Sequence, residues 1–137
     1  GLFPGGDWKA SIASLKPQTS AGARLIAVFF GDRDPDTKWF PELASAGFSG
    51  VMLDTLDKRS GSLRRFFSQD KLGHFISEAR HFGFLCGLAG SLRSDDIRSL
   101  LELGPDYLGF RGALCLRQNR VDELDPEALR EIREKIR

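Results

Sequence analysis

Four apolar runs in this chain each end on a glycine or a small polar group, and helically spaced residues separate them. Leu25–Phe30 ends on Gly31-Asp32, and Gly50–Leu53 ends on Asp54. Phe84–Leu88 leads to Gly90-Ser91, and Asp106–Phe110 leads to Arg111-Gly112. Apolar runs without polar alternation read as strands covered on both faces. Short turns between strand and helix then require parallel strands and right-handed crossovers. The expected fold class is α/β, with four parallel strands and their helices. A closed barrel of this kind needs eight strands in about 250 residues, so four strands in 137 residues make half of one. Four strands also leave two unpaired edges, which favours association.

The helical stretches carry their own punctuation. Asp7 is placed to cap a helix with Trp8, Ile12 and Leu15 on one face, which Pro17 should end. A short helix has Pro41 in its first turn and Gly47 beyond its end. Leu72, Phe75, Ile76 and Ala79 follow a 3.6-residue period that stops near Gly83. Ser94 is a candidate cap for the helix with Ile97, Leu100 and Leu101. Asp125-Pro126 starts a last helix whose buried face should be Leu129, Ile132 and Ile136. Gly1-Leu2 reads as the end of a strand, as in an excised fragment of one domain.

Composition narrows the function classes. A net charge of +1, with basic residues scattered among acids, gives no footprint for nucleic acid. No apolar run approaches a membrane span, and Gly1–Asp7 lacks the pattern of a signal peptide. Cys86 and Cys115 are too few for a disulfide framework and sit in apolar surroundings, as buried reduced thiols of a cytoplasmic protein do. The acids Asp32, Asp34 and Asp36 do not match a calcium loop, and no ligand cluster surrounds His74 or His81, so no metal is expected. Phe66-Phe67 and Phe82-Gly83-Phe84 read as core rather than as a stacking platform.

Ligands of α/β sheets gather where strands end. Asp54 is therefore a candidate general acid or base, or else a turn aspartate bonding its own loop near Thr55 and Leu56. Lys58, four residues on, is a candidate nucleophile, proton shuttle or phosphate clamp, or else a solvated lysine in a charged run. Gly90 and Ser91 open a helix in a way that suits a phosphate, and Arg111 with Gly112 repeats backbone access beside a positive charge. The bland alternative is that Ser91 assists capping and Gly90 only turns the chain. Asp32 is either catalytic or the start of its loop.

Gly50-Val51-Met52-Leu53-Asp54-Thr55 with Lys58, then Gly87–Leu92, then Tyr107–Cys115, resemble in order and spacing the (5-formylfuran-3-yl)methyl phosphate synthase family. The resemblance covers nearly the whole chain. It implies the C-terminal half of a TIM (β/α)8 barrel, residues 1–137 supplying strands five to eight. It implies a lyase-type synthase without cofactors, making the furan precursor of methanofuran. Two glyceraldehyde 3-phosphate molecules would condense through a lysine imine, an aldol addition and loss of water and one phosphate. Asp54 and Lys58 would be the catalytic pair, and Gly90, Ser91, Arg111 and Gly112 would surround a phosphate of the triose substrate. The family's Asp-Val-Lys-Asn-Pro-like motif, which carries the imine lysine, is not in these residues, and neither is a lysine expected just before Gly1. Lys16 and Lys38 do not sit at strand ends that could replace them. The expected partner is a second copy of the chain or a separate N-terminal half. The alternative is a non-catalytic phosphate-binding half-barrel.

Overall fold

A computed structural model describes residues Gly1–Arg137. Four strands, β1 (Ile26–Phe30), β2 (Gly50–Asp54), β3 (Leu85–Leu88) and β4 (Tyr107–Leu108), form one sheet in sequence order, every pair parallel. The register aligns Ile26, Gly50 and Leu85 in one row, and Val28, Met52, Gly87 and Tyr107 two residues further on. This is the α/β class expected from the apolar runs.

The helices lie on one face of the sheet. They are α1 (Trp8–Ser14), α2 (Lys16–Ser20), α3 (Phe40–Ser45), α4 (Leu63–Phe66), α5 (Gln69–His81), α6 (Ile97–Leu101) and α7 (Pro126–Ile136). Asp7 caps α1 by accepting from the Ala10 N–H at 2.9 Å, and Ser68 caps α5 from the Lys71 N–H at 3.3 Å. The α5 face Leu72, Phe75, Ile76 and Ala79 is buried, as its period requires. It meets Ala27, Phe29, Val51, Leu53, Cys86 and Leu88, the helix-facing side chains of the strands. Phe40 binds this layer together, with edge-on contacts to Phe29, Phe75 and Phe84 at 5.4–5.7 Å between centroids. Phe84 is in the core, and Phe67 and Phe82 pack against it.

Five expectations change. The strands are covered on one face only. Ile26, Leu85 and Tyr107 stand 37, 39 and 36% exposed on the other, where no helix of this chain lies. The runs lack polar alternation because that second face is apolar too. Pro17 does not end the first helical segment but sits in the first turn of α2, where its missing N–H costs no helical bond. Ser94 caps nothing. It opens a 3-10 turn before α6, and its hydroxyl donates to Glu131 and accepts from Lys135 of α7, each at 2.5 Å. The fourth strand shrinks to Tyr107–Leu108, because its outer edge has no partner to extend the ladder. Of the expected α7 face only Ile132 is buried. Leu129 and Ile136 are 48 and 41% exposed, since α7 packs at the rim against α6 rather than on the sheet.

The N-terminal segment runs along the outer edge of β1, where the Leu2 N–H donates to the Val28 carbonyl at 2.8 Å. That agrees with its reading as strand-like, although it is too short to form a ladder. No helix is long and apolar enough to cross a membrane.

Candidate active site

The carboxyl ends of β2, β3 and β4 open on one cleft of about 740 Å³. Because these strands are neighbours, spaced about 4.8 Å apart, their loops converge there. All six candidates, Asp54, Lys58, Gly90, Ser91, Arg111 and Gly112, line this cleft. Asp32 does not, and His74 and His81 are exposed on α5, away from it.

Asp54 is the last residue of β2, and its side chain is 25% exposed. Its Oδ1 accepts from the Thr55 N–H at 2.7 Å and from Lys58 Nζ at 2.5 Å. Lys58 Nζ also donates to the Thr55 carbonyl. The turn reading and the ion-pair reading of Asp54 therefore hold together. The loop folds Lys58 back over the strand end, which leaves its side chain only 29% exposed. It is not a freely solvated lysine.

Asp32 holds this loop from the next strand over. It follows β1, and its two carboxylate oxygens accept from the Leu56 N–H at 2.8 Å and the Asp57 N–H at 2.9 Å. Burial pushes the Asp32 carboxyl up. The N–H groups of Leu56 and Asp57, its own backbone and Arg33 outweigh that, so it titrates below its ordinary value. A depressed folded-state pKa stabilises above the unfolded value of about 3.9 and loses that contribution as pH falls through the folded one. Asp32→Ala is expected to lower stability by about 1–2 kcal/mol at pH 7, with the difference from the parent shrinking below about pH 4. Urea melts of both proteins from pH 7 to pH 3 check this. An equal loss at both ends would show that the carboxylate charge is not what holds the loop.

Gly90 and Ser91 form the β3 loop with φ of +103° and +51°. A left-handed serine is uncommon outside sites where the surroundings impose it. The Gly90 carbonyl accepts from the Leu63 N–H at 2.8 Å, which ties the β3 loop to the start of α4. The N–H groups of Gly90, Ser91, Leu92, Arg111 and Gly112 bond no backbone acceptor. Free amides on adjacent loops at strand ends are the usual means of holding an oxyanion. The thiol of Cys115 donates to the Arg111 carbonyl at 3.3 Å and so fixes that loop from below. Cys86 is buried in the core, and that burial, with Asp106 nearby, pushes its pKa up to about 12. It is an inert thiol.

Several residues of the cleft were not legible in the sequence. Arg59, Arg93 and Arg120 line it beside Lys58 and Arg111, while Asp54 is its one carboxylate. Arg93 had a usable signal, since it follows Gly90 by three residues at the same strand end. Arg120 had none. It returns to Gly112 only because the segment after β4 doubles back, with Cys115 bridging Leu124. Thr55 is fully buried against Gly90, and its hydroxyl has no hydrogen-bond partner. An unsatisfied buried hydroxyl costs about 1–3 kcal/mol, so Thr55→Val is expected to raise stability by about 1 kcal/mol. A denaturation midpoint below that of the parent would show that the hydroxyl is satisfied. No three His, Cys, Asp or Glu side chains come together as a metal site would require.

The profile of the 4-HFC-P synthase family matches residues 1–133. The chain belongs to this family. It is 38% identical over 96 residues to the (5-formylfuran-3-yl)methyl phosphate synthase of Methanocaldococcus jannaschii, covering 69% of this chain and 41% of that one. It is 40% identical over 121 residues to a protein of Methylorubrum extorquens provisionally given the same name, covering 88% of this chain and 50% of that one. The Methanococcus maripaludis S2 synthase is 32% identical over 131 residues, covering 88% of this chain and 56% of its own. The chain thus spans about half the length of the synthases it matches, as the four-strand count had suggested.

Proposed function

We propose that this 4-HFC-P synthase family chain is the C-terminal half of a (5-formylfuran-3-yl)methyl phosphate synthase, and that its cleft carries the phosphate-binding and acid/base part of the site. One observation carries the reading. The ends of three adjacent parallel strands join an Asp54–Lys58 pair to two loops of unbonded amides in a single cleft. The substrates would be two molecules of glyceraldehyde 3-phosphate. The phosphate of one would rest on the amides of Gly90, Ser91 and Gly112, with Arg111 supplying charge. Lys58, held by Asp54, would reach the carbonyl or its phosphate. Asp54 would move the proton at the carbon beside that carbonyl. The imine lysine would come from the half that completes the barrel. Carbon–carbon bond formation and loss of water and one phosphate would then close the furan, so the reaction is of lyase type.

The open sheet face favours an assembly. Ile26, Leu85 and Tyr107 present apolar surface on it, which a second four-strand unit would cover. That unit would be a separate N-terminal half or another copy of this chain. A non-catalytic phosphate-binding half-barrel remains the second reading, and it rests on the same open face.

The test is furan aldehyde formation from glyceraldehyde 3-phosphate, by the chain alone and after mixing with the preceding half of the Methanocaldococcus jannaschii synthase. Weak or absent product alone, with clear product in the mixture, is expected. Full rate from the chain alone would overturn the half-barrel reading. No product from a mixture shown to associate would overturn the synthase reading and leave the binding module.

A further inference from the structure

We infer that Arg93 and Arg120 form a second anion subsite in the cleft, separate from the amide cradle, which takes the other phosphate of a ligand carrying two. The inference deepens the reading of the cleft as a phosphate site and rests on it.

The charge distribution is the first ground. The chain as a whole is nearly neutral, with 20 basic and 19 acidic residues. The cleft is not. Lys58 is matched by Asp54, and Arg59 lies 3.8 Å from Asp57. Arg93, Arg111 and Arg120 have no carboxylate within 4.0 Å, although Arg98, Arg117 and Lys135 elsewhere each have one. One phosphate in the cradle is answered by the amides of Gly90–Leu92 and Gly112 together with Arg111. Two guanidiniums are then surplus in a confined space, where like charges repel unless an anion lies between them.

Backbone geometry is the second ground. The segment after Cys115 passes through two consecutive left-handed residues that are not glycine, Arg117 at φ +55° and Gln118 at φ +54°. The Cys115–Leu124 bridge and the Arg117–Asp122 ion pair at 3.2 Å hold it there. The result brings Arg120 N and Cβ to 4.0 Å from where a Cβ on Gly112 would stand. A chain that adopts two disfavoured conformations in a row to place an unpaired arginine beside a phosphate loop meets the pattern of strain kept for binding. Arg93 comes from the adjacent strand end, on β3, so the two guanidiniums approach the cleft from neighbouring loops.

The experiment compares inorganic phosphate with propane-1,3-diyl bisphosphate in calorimetric titrations of the chain at fixed ionic strength. The bisphosphate is expected to bind at least about tenfold more tightly. Arg93→Gln and Arg120→Gln should each weaken the bisphosphate about five- to tenfold and leave phosphate within about twofold. Arg111→Gln should weaken both, and Arg133→Gln on α7, outside the cleft, should change neither. If phosphate binds and depends on Arg111 while the Arg93 and Arg120 variants bind bisphosphate like the parent, the second subsite is wrong and the cradle stands. If phosphate does not bind, or binds without regard to Arg111, the cradle itself fails and the second subsite fails with it.

Discussion

Gly90→Ala is expected to lower stability by about 2–4 kcal/mol and to abolish phosphate binding. Two effects combine at this position. At φ +103° any side chain is strained, which costs about 1–2 kcal/mol. A Cβ there would also stand 2.9 Å from the backbone nitrogen and the Cγ2 of Thr55. Thr55 cannot retreat, because it is fully buried and its carbonyl holds Lys58. The collision is with backbone at the end of β2, so the β2 and β3 loops must separate, at a further cost of about 1–3 kcal/mol. Gly5→Ala is the control. Gly5 also has positive φ, at +77°, but nothing lies within 4 Å, so only the conformational cost of about 1 kcal/mol should appear. Urea midpoints of the two variants, read beside phosphate titrations, check this. Equal losses would mean that the approach of the two loops is not constrained.

Lys58→Ala is expected to reduce kcat of the assembled two-half enzyme by about 100- to 10,000-fold, the usual range for a positioned acid/base group. Asp54→Asn should fall by a similar factor, and the double variant should be little worse than either single one, because the pair acts as a unit. The pair is a quarter exposed, so stability should change by no more than about 1 kcal/mol. Lys58→Arg keeps the charge but replaces a compact ammonium with a planar fork, and it should not restore turnover. Steady-state kinetics separate these outcomes. Recovery in Lys58→Arg would reduce Lys58 to a counter-charge, and a drop confined to KM would make it a binding group only.

How much of this was legible depends on the kind of interaction. The helix-facing core was readable because α5 repeats its apolar residues every 3.6 positions and the strands answer with Phe29, Leu53 and Leu88. Asp7 and Asp125 announced helix starts because a carboxylate just before a helix has free N–H groups to accept from. Asp54, Lys58, Gly90 and Arg111 could be placed because parallel strands deliver their last residues to one side.

The one-sided cover of the sheet could not be read. An apolar Ile26 or Leu85 says that a face should be buried, not what buries it. Nor could the roles of Asp32 and Arg120. Asp32 acts on amides 24 and 25 residues away, at Leu56 and Asp57, through a contact that no local pattern encodes. Arg120 depends on a left-handed turn at Arg117 and Gln118, built from residue types that normally avoid it.

The most direct measurement is an amide NMR titration of the chain with inorganic phosphate and then with glyceraldehyde 3-phosphate. Saturable shifts at Gly90, Ser91, Arg111 and Gly112 with phosphate, extending to Asp54 and Lys58 with the triose, are what the account predicts. Unmoved amides at these positions with millimolar ligand, or shifts centred outside the ends of β2 to β4, would contradict it.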